Sequence, residues 1–183
     1  MRVIGGKYRG RRLRAPAGQD VRPTSDRLRE TLFNIIAPRI EGSRFLDLCA
    51  GSGAVGIEAI SRGAASVTFI DRSRRACSVI ESNLAALGVT SNATIINRDA
   101  VGALKRMAED SEKFDIIFFD PPYASEIYSQ VMRGLSASHL LGPEALVITE
   151  HRAKSPPESE YGELRIYRQV KQGESAIAFY ALG

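Results

Sequence analysis

Between residues 44 and 149 the chain alternates short apolar runs with amphipathic stretches of helical period, and no other feature restricts its fold so tightly. Residues 45–49, 67–71, 93–97, 114–119 and 145–149 read as strands. Residues 54–62, closed by Gly63, and 74–87, closed by Gly88, read as helices, as do 101–108 and 127–135. In the second of these helices Ala76, Val79, Ile80, Leu84 and Leu87 share one face. The run 114–119 has almost no polar break, as a central strand covered on both sides requires. Two further strands, 164–170 and 176–182, are separated only by residues 171–175. A parallel crossover needs about a dozen residues, so this pair must be antiparallel. The expected architecture is α/β, one sheet with helices on both faces and a C-terminal antiparallel hairpin.

Ahead of this body lies a basic arm. Val3-Ile4-Gly5 and Arg12-Leu13-Arg14 flank a turn-like Lys7-Tyr8-Arg9-Gly10, the pattern of a small β-hairpin, and Pro16 and Gly18 end it. Thr24 or Ser25 can then cap a helix with Leu28, Leu32, Ile35 and Ile36 on its apolar face, which Pro38 is expected to stop. Residues 1–20 are thus read as an arm and 21–183 as the main domain, together one compact unit. Charge is distributed unevenly: residues 1–29 hold nine basic and two acidic side chains, net +7, and the remainder is net −3. Such an arm suits a polyanionic partner, although on charge alone a solvated face is as good a reading.

Composition removes several classes. No apolar run approaches the ~20 residues of a membrane helix, and the first residues lack the apolar core of a signal peptide. Cys49 and Cys77 cannot build a disulfide framework and, without clustered histidines, make a poor metal site, so no metal is expected. The reading is a soluble, cytoplasmic, globular protein with no membrane partner. His139 and His151 are expected at the surface, with His151-Arg152 able to face a substrate. Cys49 is expected to pack as a small hydrophobe and Cys77 to lie on a helix surface.

Chemistry is concentrated after two of the strands. The segment from Asp47 to Gly56 (DLCAGSGAVG) follows the first strand and opens a helix, where glycines allow a sharp turn and close approach of a ligand. Asp71, at the end of the second strand, can accept hydrogen bonds from two ribose hydroxyls. Gly51-x-Gly53-x-x-Gly56 with Asp71 is also the dinucleotide fingerprint, so this motif alone does not separate a nicotinamide cofactor from S-adenosylmethionine. Three features favour the latter. Asp47 would repel a pyrophosphate but suits an ammonium, the terminal hairpin does not belong to an all-parallel dinucleotide sheet, and there is no room for a separate substrate domain. Asp99 can accept from an adenine amine or cap the next helix.

Asp120-Pro121-Pro122-Tyr123 follows the buried strand 114–119, on the sheet edge where α/β proteins bind ligands. Two prolines remove amide donors and leave an acceptor-rich rim. The Asp120 carboxylate and Pro121 carbonyl can accept both hydrogens of a planar amine, Tyr123 offers a face for stacking, and Asp120 can take the released proton. A bare proline turn does not explain the flanking acid and aromatic.

These motifs, with Arg2 to Arg11 (RVIGGKYRGR) and Arg22 to Asn34 (RPTSDRLRETLFN), resemble the bacterial small-subunit ribosomal RNA guanine-N2 methyltransferases, the RsmD family, along the whole chain. The resemblance implies a Rossmann-like class I methyltransferase fold, S-adenosylmethionine as donor, and methylation of one guanine N2 in ribosomal RNA of a partly assembled 30S subunit. It implies Asp47, Gly51, Gly53, Asp71, Asp99 and Asp120 as donor-site and catalytic positions. The donor set is completed by Ala50, Arg72 and Ala100, and the catalytic set by Pro121, Pro122 and Tyr123. Lys7, Tyr8, Arg9, Arg11, Arg12 and Arg14 are the candidate RNA contacts, and Thr24, Asp26 and Arg27 candidate linings of the active site. The loop 150–161 is the less typical part. A nicotinamide-dependent oxidoreductase, a methyltransferase of another base amine in RNA or DNA, and a non-catalytic RNA-binding protein are the competing expectations.

Overall fold

The computed structural model describes residues 1–16, 25–121 and 127–183. Its elements run α1 (Asp26–Ile40), β1 (Arg44–Leu48), α2 (Ala54–Ser61), β2 (Ser66–Asp71), α3 (Arg74–Leu87), β3 (Ala93–Asn97), α4 (Ala100–Glu109) and β4 (Phe114–Phe119). They continue with α5 (Ile127–Ser136), β5 (Leu141–Arg152), β6 (Glu160–Tyr161), β7 (Leu164–Gln172) and β8 (Ser175–Leu182). All eight strands form one sheet in the order β3-β2-β1-β4-β5-β8-β7-β6. The strands from β3 to β5 pair in parallel, and β8, β7 and β6 continue antiparallel.

Side-chain alternation along the strands divides the core between two faces. Phe45, Phe69, Ile116, Phe118, Ile148 and Phe179 point to the face covered by α1, α2 and α3, where Val3 and Leu13 of the arm also pack. Leu46, Leu48, Ile70, Ile117, Phe119 and Tyr180 point to the face covered by α4 and α5. Strand order reverses direction at β1, between β2 and β4. Crossovers leave this point towards opposite faces, and a crevice opens at the strands' carboxyl ends.

Of the two cap candidates, Ser25 caps α1 as expected, accepting from the Leu28 N–H at 3.1 Å, and Thr24 lies outside the described residues. The structure corrects several expectations. Pro38 does not stop α1, which runs on to Ile40. So near the helix end Pro38 removes a single backbone bond, and buried Ile40 anchors the last turn. β5 extends beyond 145–149 at both ends, shifting register between Phe114 and Ile116 of β4, and its far end is held by pairing with β8. His151 is therefore buried in the sheet, not on the surface; His139 is exposed. The two-residue β6, too short to show a period, takes the end of what reads as the loop 150–161. Cys77 is also buried, its thiol 3.5 Å from the Asp71 carbonyl oxygen.

The arm pairs with itself as the expected small hairpin and is also docked on the body. Arg2 and Arg12 form an antiparallel bridge between its two sides, and the Val3, Gly10 and Leu13 N–H groups donate across it to the Arg11, Val3 and Met1 carbonyls. Other backbone groups of the arm bond to the body. Glu58 of α2 accepts from the Ile4 and Gly5 N–H groups, each at 2.7 Å, and Ser61 accepts from Lys7 and Tyr8. Arg29 of α1, fully buried, donates to the Arg2 carbonyl and to Asp26 and lies 3.9 Å from Glu58. The basic side chains Lys7, Arg9, Arg11, Arg12 and Arg14 remain exposed on this docked scaffold. The expected division at 20/21 falls outside the described residues.

Candidate active site

The crevice is built from the strand ends β1, β2 and β4. Asp47, buried in β1, accepts the Gly56 N–H at 2.9 Å. Burial pushes its carboxyl up to about 7 against that hydrogen bond, and the Asp71 charge adds to the shift. Beyond it the backbone crosses the left-handed region three times, at Cys49 (φ 63°), Gly51 (φ 57°) and Gly53 (φ 74°). The glycines serve different purposes. A Cβ on Gly56 would lie 2.3 Å from the Phe69 ring, so this glycine lets α2 pack against the sheet. At Gly51 a Cβ would meet nothing within 4 Å, so the backbone there faces open space, as a ligand cradle requires.

Asp71 fixes the other wall. Its Oδ2 accepts from the Gly51 N–H at 2.9 Å and its Oδ1 from the Ser73 N–H at 2.8 Å. Each oxygen retains acceptor capacity for a hydroxyl. Asp99 acts as the N-cap of α4, accepting the Gly102 N–H at 2.8 Å through Oδ1. Ala100 turns its side chain into the core, so only its backbone can serve a ligand, and the Ala50 N–H is taken by the Ile70 carbonyl. Arg72 is exposed.

Asp120 follows β4, partly buried, with its carboxyl held well above the usual carboxylate range by burial, then by the charges of Glu150 and Asp47. Pro121 is buried; Pro122 and Tyr123 lie outside the described residues. Burial pushes the Cys49 thiol up to about 12, and Asp71, Asp120 and Asp47 each add to it. A thiol raised in this way stays neutral near pH 7. Asp26 is instead tied to Arg29 and Arg2, and two surface hollows beside it, about 390 and 660 Å³, have no donor-site carboxylate in their described linings.

Glu150 escaped the sequence reading. Phe119 pairs with Thr149, so the parallel register sets Asp120 and Glu150 side by side, and Glu150 is 4 % exposed. Its signal was its place after the fifth strand, the place Asp120 takes after the fourth. Asn83, Glu58 and Arg29 were also missed, because an isolated polar residue in a helix announces no tertiary partner.

A family model described as "Conserved hypothetical protein 95" matches residues 1–181. Ribosomal RNA small subunit methyltransferase D of Escherichia coli is 37% identical over 180 residues, covering 98% of this chain and 89% of the relative. The chain belongs to this family. A Bacillus subtilis member, the putative rRNA methyltransferase YlbH, is also 37% identical, over 98% of both chains. Among solved structures, the E. coli putative methyltransferase yhhF superposes with a TM-score of 0.88 at 36% identity, over 100% of this chain and 97% of that one. The fold is accordingly the Rossmann-like class I methyltransferase sheet with its C-terminal antiparallel strands, as the family resemblance implied.

Proposed function

We propose that this chain transfers a methyl group from S-adenosylmethionine to the exocyclic N2 of a guanine in small-subunit ribosomal RNA, in the cytoplasm and on a partly assembled 30S particle. The observation that carries this reading is the placement of Asp47, Asp71 and Asp120 at the ends of the neighbouring strands β1, β2 and β4, around the loop after β1. Asp71 is bonded to Gly51, Asp47 to Gly56, and the Asp120 N–H to the Leu48 carbonyl. Family membership supports the reaction class and argues against a nicotinamide-dependent oxidoreductase.

The residues fit the donor: Gly51 leaves an open cradle and Asp71 presents oriented acceptors beside it. When bound, S-adenosylmethionine supplies an electrophilic methyl group on a sulfonium. Asp71 accepts from the ribose hydroxyls, Asp47 opposes the ammonium, and the Asp99 oxygen not used in capping accepts from the adenine amine. Asp120 and the Pro121 carbonyl accept the two hydrogens of the guanine amine, which orients its lone pair. A carboxylate with raised proton affinity is a good acceptor for the proton released after transfer, and burial beside Glu150 and Asp47 gives Asp120 that character. The exposed basic side chains of the arm hold RNA phosphates, and Tyr8 stacks on an unpaired base.

Transfer of a tritiated methyl group tests the proposal, with naked small-subunit RNA, partly assembled particles and complete subunits offered in parallel. Mapping of the product by mass should place the label on guanine N2. S-adenosylhomocysteine should compete and nicotinamide dinucleotides should not. Label on an adenine or cytosine amine would replace the guanine assignment.

A further inference from the structure

The arm and the donor loop are joined through one buried side chain. Asn83 of α3, 2 % exposed, accepts the Arg14 N–H at 2.8 Å through Oδ1. Its Nδ2 donates to the Arg14 carbonyl and to the Ser52 carbonyl, both at 3.0 Å. Every hydrogen the amide can donate is therefore used, and Nδ2 alone links two segments 38 residues apart. Ser52 stands between Gly51 and Gly53, the two left-handed glycines of the loop. Its hydroxyl also donates to the Met1 thioether at 3.2 Å, and the Leu13 N–H donates to the Met1 carbonyl. Both sides of the arm thus meet the donor loop at one residue.

We propose that Asn83 is a positioning residue that couples the two binding steps, so that RNA held on the arm and the methyl donor held in the loop bind with positive cooperativity. This rests on the reading that the arm contacts RNA and the loop contacts donor. Phosphates drawn to Arg14 and its neighbours favour the docked arm. A docked arm fixes the Asn83 amide, the amide fixes the Ser52 carbonyl, and a fixed loop loses less conformational freedom when donor binds. An amide serving stability alone has no need to bridge the sites of two different ligands.

The coupling must be reciprocal, which makes it measurable from both directions. The dissociation constant of a fluorescein-labelled small-subunit RNA fragment is measured with and without saturating S-adenosylhomocysteine, and that of S-adenosylhomocysteine with and without the RNA. In the unmodified protein both should tighten by the same factor, about fivefold or more. Asn83→Ala should weaken each ligand alone modestly and reduce the factor to about one. Asn83→Asp, which keeps the shape and the acceptor for Arg14 but removes both donated bonds, should do the same and serves if the alanine variant does not fold. Arg14→Ala leaves the backbone bonds to Asn83 in place, so it should weaken RNA binding while preserving the factor. Absence of coupling in the unmodified protein, or its persistence in a folded Asn83 variant, overturns the inference. Unchanged RNA affinity on neutralising Arg14 together with Lys7, Arg9 and Arg12 would instead remove the arm from the RNA site, and the coupling with it.

Discussion

Asp47 and Asp120 are both carboxylates at strand ends whose surroundings resist ionisation, and this sets what pH should do. The Asp47 carboxyl rises from 3.8 to about 7 on folding. Between those values the folded protein holds more protons than the unfolded chain, so stability should fall as pH rises through this window and level off above it. Thermal melting across the window checks the sign, and Asp47→Asn should flatten the curve. Donor binding should run the opposite way, because an ammonium favours the ionised acid. S-adenosylhomocysteine should bind more weakly below pH 7 and release protons as it binds. Replacing Asp120 with Asn keeps its size but removes the acceptor of the proton, so single-turnover methylation should slow by roughly a hundredfold or more with little change in S-adenosylhomocysteine affinity. A variant as fast as the parent would remove Asp120 from the chemistry. Asp71→Ala should cost donor binding about 1–3 kcal/mol by calorimetry. It also frees the Gly51 and Ser73 N–H groups, so the loop should exchange its amide hydrogens faster.

At the scale of elements the arm asks for a different experiment from the one its sequence suggests. Val3 and Leu13 belong to the core under α1, α2 and α3, so deleting residues 1–14 should lower the melting temperature and donor affinity together. Leu13→Ala alone should cost about 2–5 kcal/mol of stability. The RNA contact is better probed by changing exposed Lys7, Arg9 and Arg12 to Ala. Melting should then be preserved, while each lost phosphate contact flattens the log–log salt dependence of RNA binding by about 0.7 to 0.9. The sheet and its helices were legible because two periods, two and 3.6, repeat over elements long enough to display them. Asp47, Asp71 and Asp120 were legible because acids directly after apolar strands stand out. Docking of the arm was not, since it depends on Glu58, Ser61 and Asn83, whose partners lie more than fifty residues away. β6 was too short, and His151 and Cys77 looked exposed because their burial comes from neighbouring segments rather than from their own pattern.

For the whole molecule, the strand order and its reversal at β1 could not be read from local pattern, because pairing partners are chosen by the packing of all the helices together. The shared core makes one cooperative transition the expected behaviour. The chain has no Trp, so Tyr8→Trp would report on the arm alone, and its fluorescence should melt together with the helical signal of the body. Separate transitions would mean that the arm is an independent unit. The arm's hydrogen bonds to α2 and α3 reach partners 53 to 75 residues further along the chain. During synthesis, at about 5–20 residues per second, the arm therefore emerges several seconds before the helices that receive it. Its Val3 and Leu13 wait undocked through that interval, and the segment made first completes its fold after the loop it braces has been made. Slowing translation between the arm and α3 should lengthen the time in which a nascent chain is open to proteolysis at its N-terminal end.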